Sequence, residues 1–96
     1  MNRERLKVYA KLYDLYREKQ LYVALEELSE LQKEICKSLR GKADLDALKE
    51  EIADVVIMLE QLLFFFDIKE KQILEKMNEK IERTKQRMFP NNERNL

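Results

Sequence analysis

Four carboxylates stand out because two short acidic pairs with the same spacing occur in neighbouring parts of the chain. Glu27 and Glu30 form one pair, and Glu51 and Asp54 form the other. In a helix, residues three apart lie on the same side, so each pair presents two carboxylates to one space. Oxygen ligands without nitrogen or sulfur suit Mg²⁺ or Mn²⁺, and Mg²⁺ commonly shares its site with substrate phosphates. The two pairs therefore predict a divalent-metal site that acts on a phosphate ester.

The same residues also allow a plainer interpretation. In a chain with 40% charged residues, a Glu-x-x-Glu pair arises readily by chance and usually belongs to a solvated helix face. The metal site is favoured by the surroundings of Glu51, which falls between Met58 and Leu62 around the helix axis. Burying ionised carboxylates without partners is costly, and a bound cation removes that cost.

The residue types that are missing exclude several kinds of active site. The 96-residue sequence contains no histidine, which excludes a Ser-His-Asp triad, the usual zinc sites and the Glu-x-x-His motif of di-iron bundles. With one glycine and one proline it has no glycine-rich loop, so a P-loop is excluded too. Phosphates must then be held by a metal or by basic side chains.

Charge and cysteine content bear on partners and location. Lys plus Arg and Asp plus Glu number 19 each, so the formal net charge is zero and no overall field attracts nucleic acid or an anionic membrane. Cys36 has no partner for an internal disulfide, and we find neither a signal-peptide pattern nor a membrane-spanning apolar run. We expect a cytoplasmic protein whose small core is reinforced by metal binding or self-association.

Helix-forming residues dominate, and four helices are predicted at about residues 2–17, 21–39, 44–66 and 67–88. Gly41 is the end signal of the second helix, Asp44 or Asp46 caps the third, and Asp67 with Glu70 resembles a capping box that opens the fourth. The prediction is one all-α domain over residues 1–96, a four-helix bundle with a polar tail from about residue 90. Interrupted helices without a sustained heptad disfavour a simple coiled coil.

The third and fourth helices differ in character. From Ile52 to Phe66 only three residues are polar, so we expect this helix to be central and to lie at a subunit interface. In the fourth helix, apolar positions are predicted to face inward, namely Ile73, Met77, Ile81, Thr84 and Met88. Beside them a basic row falls within an arc of roughly 60°, and it comprises Lys69, Lys76, Lys80, Arg83 and Arg87. Such a row is either a solvated face or a phosphate-binding surface.

Three segments carry a resemblance to a known family. The segment EELSE at residues 26–30, followed by EEIAD at residues 50–54, resembles the EExxE and ExxD signature of the MazG-like all-α NTP pyrophosphatases. The segment NEKIER at residues 78–83 is similar to the Asn-x-Lys-apolar-x-Arg run in the last helix of that family. The resemblance covers approximately residues 21–87.

The resemblance implies a Mg²⁺-dependent pyrophosphohydrolase that converts an NTP or dNTP to the monophosphate and pyrophosphate. By this likeness the Mg²⁺ ligands and catalytic residues would be the four carboxylates Glu27, Glu30, Glu51 and Asp54. Lys80, Arg83 and Asn78 would bind the substrate phosphates, although Asn78 falls on the other side of the apolar positions. The resemblance also implies a homodimer or homotetramer.

Two matters stay open at the level of sequence. No segment matches a base-recognition element, so the nucleotide that serves as substrate is not predicted. The alternative function is a catalytically silent helical interaction or regulatory module with the same fold, which the abundant apolar residues of the third helix also favour.

Overall fold

The computed structural model describes residues 1–90 and contains four helices: α1 (Arg3–Tyr16), α2 (Lys19–Leu39), α3 (Leu45–Phe65) and α4 (Glu70–Met88). Within residues 1–90 there is no strand, which confirms the predicted all-α class. The predicted polar tail lies, apart from Pro90, outside the described residues. No helix in the described range combines the length and apolar character needed to cross a bilayer.

Capping side chains fix the start of two helices. The side-chain oxygen of Asn2 accepts a hydrogen bond from the backbone N–H of Arg5 at 2.8 Å at the start of α1. A carboxylate oxygen of Asp44 accepts from the backbone N–H of Ala47 at 3.1 Å at the start of α3. Each bond satisfies a backbone donor that has no partner within its helix. Asp44, rather than Asp46, is therefore the cap of α3.

The second and third helices end in the same backbone motif. After α2, the N–H of Lys42 bonds to the carbonyl of Lys37 at 2.9 Å, and Gly41 adopts φ 75°. After α3, the N–H of Ile68 bonds to the carbonyl of Leu63 at 2.9 Å, and Asp67 adopts φ 52°. Both are helix ends of the Schellman type, in which the turning residue is left-handed.

The prediction that Asp67 opens the fourth helix is therefore wrong. Asp67 ends α3, and α4 begins at Glu70, where the side chain of Gln72 accepts a hydrogen bond from the N–H of Lys69 at 2.9 Å. Aspartate is favoured at helix starts and is also tolerated at positive φ, so its type alone does not distinguish the two roles.

The packed part of the chain consists of α1, α2 and α3, with α3 in contact with both of the others. Each of these three helices contributes one buried residue, namely Tyr9, Ala24 and Met58. The ring of Tyr13 in α1 meets Phe64 and Phe65 of α3 edge-on, with centroids 5.9 and 5.4 Å apart. Each of these three helices contacts the other two, and Ile52, Val56 and Leu59 of α3 remain about half exposed, so the central position of α3 stays a prediction.

A polar network fastens α1 to α3. The hydroxyl of Tyr9 and the guanidinium of Arg5 both donate to the carboxylate of Glu60, at 2.5 Å and 2.8 Å to its Oε1. These bonds, that of Arg5 foremost, hold the pKa of Glu60 below its usual value. Burial, followed by the bond to Glu60, raises the pKa of Tyr9 to about 12. The buried end of α1 is thus tied to α3 by bonds to a charged acceptor, which are stronger than neutral ones.

The fourth helix stands apart from this core. None of its described residues is buried, and the apolar side chains predicted to face inward are exposed, from 39% for Ile73 to 66% for Met88. The radius of gyration is 17.2 Å, against about 12.5 Å for a compact chain of this length. The inward orientation predicted for α4 is therefore wrong within a single chain, because no other helix covers its apolar side.

The repeated helix-end motif generates a stability prediction. Replacing Asp67→Gly should raise the free energy of unfolding by about 0.5–1 kcal/mol, because glycine adopts a left-handed conformation without the cost of a Cβ atom. Gly41→Ala, at the equivalent position after α2, should lower it by about 1 kcal/mol. A Cβ at Gly41 meets no atom within 4 Å, so that cost is purely conformational.

Chemical denaturation followed by circular dichroism measures both variants. A loss of stability in Asp67→Gly would mean that the Asp67 carboxylate, which lies 3.5 Å from the ammonium of Lys69, contributes more than its backbone conformation costs.

Candidate metal centre

Three carboxylates converge where α2 packs against α3. Glu27 of α2, Glu51 of α3 and Asp54 of α3 each have a carboxylate oxygen within 4.8 Å of the others, and we call these three residues the acidic cluster. Glu27 and Glu51 are half-buried, whereas Asp54 is exposed. Asp54 lies one turn beyond Glu51 on α3, so the two carboxylates are on the same side of the helix, as their spacing predicts.

The fourth carboxylate singled out from the sequence lies outside the acidic cluster. Glu30 is exposed, and its carboxylate forms an ion pair with Lys33 at 3.4 Å. Its charge is nevertheless close enough to contribute to the raised pKa of Glu51. The structure therefore brings three of the four residues together and leaves Glu30 at the edge.

Burial and the neighbouring carboxylates raise the pKa values of two members of the acidic cluster, Glu27 and Glu51. Burial raises the pKa of Glu27, and the neighbouring carboxylate of Asp54 raises it further. Burial likewise raises the pKa of Glu51, followed by repulsion from Asp54 and Glu30. The charged groups that act on Glu27 and Glu51 are all carboxylates. A cation in this space would relieve both the burial cost and the repulsion.

One more glutamate belongs to this neighbourhood and was missed from the sequence. Glu34 of α2 adds to the raised pKa of Glu51, and its Oε1 pairs with Lys37 at 3.1 Å. The Oε2 atoms of Glu34 and Glu51 are both buried without a hydrogen-bond partner in the described protein. A signal existed, since Glu34 follows Glu27 by seven residues and so shares its side of the helix.

A bound Mg²⁺ ion would require the three carboxylates of the acidic cluster to move closer together. Around an octahedral Mg²⁺ ion adjacent ligands are about 3 Å apart and opposite ligands about 4.2 Å apart, so the separations of up to 4.8 Å in the cluster would have to shorten. All three donors are carboxylate oxygens, which are the ligands this ion prefers. The unpaired buried oxygen of Glu51 is an atom that such an ion would satisfy.

The basic residues predicted to bind phosphate lie elsewhere in the chain. Lys80 and Arg83 border one open concavity of about 640 Å³ along α4, and its other lining residues are Thr84, Gln86 and Arg87. Asn78 is exposed on α4 and does not line it. Since a single helix forms this concavity, it holds phosphate only if another surface closes over it. Within one chain the basic residues and the acidic cluster are therefore separate.

A pocket for the base is not formed by the packed helices. The enclosed space between α1, α2 and α3 holds about 20 Å³, which is room for one water molecule. Tyr9 and Tyr13 line this space, and they serve the core there. Tyr22 is 74% exposed on α2 and does not line this space.

Comparisons with known proteins return no match: no family model, curated protein or solved structure is similar to this chain at a significant level. The chemistry of the site is therefore inferred from the chain's own residues. Among residues 1–90, the acidic cluster and the exposed basic residues of α4 are the charged features that the sequence also predicted.

The acidic cluster predicts a stability that depends jointly on pH and Mg²⁺. The pKa values of Glu27 and Glu51 are raised, so the folded protein binds protons more tightly than the unfolded chain does. In the presence of a chelator, the stability contributed by these two groups should therefore be fully present below about pH 4 and should be lost as the pH rises through their raised pKa values. At pH 8, Mg²⁺ at a hundredfold excess over its Kd should restore about 2.7 kcal/mol by mass action. At pH 5 the restoring effect should be smaller, because protons compete with the metal.

Thermal unfolding of two variants provides the check. Glu51→Gln should melt above the wild type in chelator at pH 8 and should gain nothing from Mg²⁺, since one repelling charge and one ligand are removed together. Glu75→Gln, on exposed α4, should behave as the wild type does. An equal response to Mg²⁺ in Glu51→Gln would show that Glu51 is not a ligand.

Proposed function

We propose that this protein is a Mg²⁺-dependent nucleotide pyrophosphohydrolase of the MazG-like all-α kind, acting in the cytoplasm. It would convert an NTP or dNTP to the monophosphate and pyrophosphate. The observation that supports this most is the convergence of Glu27, Glu51 and Asp54 from two helices within 4.8 Å. Carboxylates this close are unfavourable unless a cation joins them, and Mg²⁺ held in this way usually meets phosphates.

The acidic cluster would hold Mg²⁺, for which Mn²⁺ could substitute. Glu30 would join as a fourth ligand by leaving Lys33, and this exchange is inexpensive because an exposed ion pair is worth about 1 kcal/mol or less. When bound, the metal would polarise a phosphoryl oxygen and ease deprotonation of the attacking water. One of the glutamates, directly or through a second water, would orient that water as a general base.

The phosphates would be held by Lys80 and Arg83, with Asn78 as a further candidate. A triphosphate carries more negative charge than one or two metal ions neutralise, so cations beside the metal are needed. Neither Lys80 nor Arg83 forms an ion pair within the described residues, so both are free to bind an anion. This role requires α4 to approach an acidic cluster, which assembly into a homodimer or homotetramer would allow.

A second candidate is a helical interaction module that keeps the fold without the chemistry. The apolar side of α4 favours it, since Met77 and Ile81 are more than half exposed. The separation of Lys80 and Arg83 from the acidic cluster within one chain also favours it. Such a module need not bind Mg²⁺, so metal-dependent turnover distinguishes the two functions.

Activity measurements test the proposed hydrolase. Purified protein with Mg²⁺ is offered a panel of canonical and modified NTPs and dNTPs, and pyrophosphate release is followed. We expect turnover of at least one nucleotide, and we expect Glu51→Gln and Asp54→Asn to abolish it without loss of helix content. Arg83→Ala should lower kcat/KM by about 10- to 100-fold, which corresponds to the loss of a hydrogen bond between charged groups.

The matched control is Lys71→Ala, because Lys71 is an exposed cation of α4 on the opposite side from Lys80 and Arg83. It should keep wild-type kcat and KM. Absence of pyrophosphate release with every nucleotide would contradict the hydrolase, and wild-type rates in Asp54→Asn would contradict the assignment of the acidic cluster.

A further inference from the structure

An exposed apolar face runs along α2 and α3. Around each helix axis its residues lie roughly 80–160° from the acidic residues Glu27 and Glu51. The face consists of Leu25, Leu28 and Ile35 of α2 with Ile52, Val56 and Leu59 of α3. Their exposed fractions range from 45% to 64%, so a band of branched side chains two helices wide remains in contact with water. Such a band on a soluble chain marks a binding surface.

The apolar side of α4 is the second uncovered surface. Ile73, Met77 and Ile81 follow one another at helical spacing of four residues, and Met88 continues the same side. An open cleft of about 420 Å³ lies between the start of this side and α3. It is lined by Leu63, Ile73, Leu74 and Met77 together with the charged residues Glu70 and Lys71, so its lining is mainly apolar with a charged edge.

The total exposed area identifies the size of the missing partner. The chain exposes 8233 Å², whereas a compact protein of 11.7 kDa exposes about 5,900 Å². The excess of about 2,300 Å² per chain, or about 4,600 Å² for two chains, lies within the range buried by obligate homodimers. A second copy of this chain has both the area and the apolar character that the two surfaces require.

We propose that two copies exchange their fourth helices, so that the apolar side of α4 from each copy covers the apolar face of α2 and α3 in the other. A two-fold axis makes the two contacts identical and closes the assembly. The helix end at Asp67, held by bonds from Asp67 and Ile68 to the last turn of α3, directs α4 away from its own core. The inference rests on the self-association in the proposed function, and it is independent of the hydrolase chemistry.

Sedimentation equilibrium combined with hydrogen exchange of the full chain tests the exchange. We expect a dimer, or an assembly of dimers, of the 11.7 kDa chain. The amides of α4 beyond its first turns should be protected only at concentrations where the dimer is present, because no residue of α4 is buried in a single chain. Ile81→Lys should weaken self-association at least about thirtyfold, as expected for a charge placed in a buried interface.

Leu15→Lys is the matched control, because Leu15 is 58% exposed on α1 and lies outside both surfaces. It should associate as the wild type does. A monomer at all concentrations would overturn the exchange, whether α4 is protected by folding back on its own chain or left open to a different partner. A dimer with rapidly exchanging α4 amides would overturn it too, since another surface would then form the contact. None of these readouts needs a nucleotide, so loss of the hydrolase proposal would leave this test intact.

Discussion

Repulsion among carboxylates at the contact between α2 and α3 is the interaction that shapes the functional part of this molecule. Glu27 and Glu51 are drawn into the contact because their neighbours on each helix are apolar, yet the same packing sets them beside Asp54. Burial, followed by repulsion from Asp54, raises the pKa values of both glutamates. Folding therefore places negative charges close together, and either a proton or, as we propose, a divalent cation would relieve their repulsion.

The apolar surface imposes a second constraint, on assembly. The helices α1, α2 and α3 each bury one residue and α4 buries none, so a single chain has a small core for its length. Its exposed area and its radius of gyration are likewise larger than those of a compact chain of this length. The basic residues of α4 share this incompleteness, since Lys80 and Arg83 border a concavity that only a further surface can close. Both proposals, self-association and phosphate binding, therefore require α4 to meet another surface.

Sequence patterns predicted what depends on local chemistry. Helical periodicity located all four helices, and Gly41 marked the end of α2 because few residue types adopt positive φ there. Asp67 was misassigned because aspartate suits a helix start as well as a left-handed end. The break at Arg17, which has φ 50°, carries no signal in residue type at all. The direction of α4 depends on the helix end at Asp67, which was misassigned, so the exposure of its apolar side was not predicted.

The candidate site also combines features that the sequence predicted with features that it did not. Spacing by three residues set Glu51 and Asp54 on one side of α3, and the apolar surroundings of Glu51 indicated its burial. Whether a glutamate points into the acidic cluster depends on its side-chain rotamer and on nearby lysines, which spacing does not specify. Glu30 pairs with Lys33 instead, and Glu34 lies beside Glu51 although it was not predicted to do so.

The measurement that tests the account most directly is a Mg²⁺ titration of ¹³C-labelled protein in which the side-chain carboxyl resonances are followed by NMR. Saturable shifts of Glu27, Glu51 and Asp54 at one common Kd, with Glu75 unmoved, are the predicted result. A small drift of all carboxyl resonances in proportion to Mg²⁺, without saturation, would contradict a metal centre at the contact of α2 and α3.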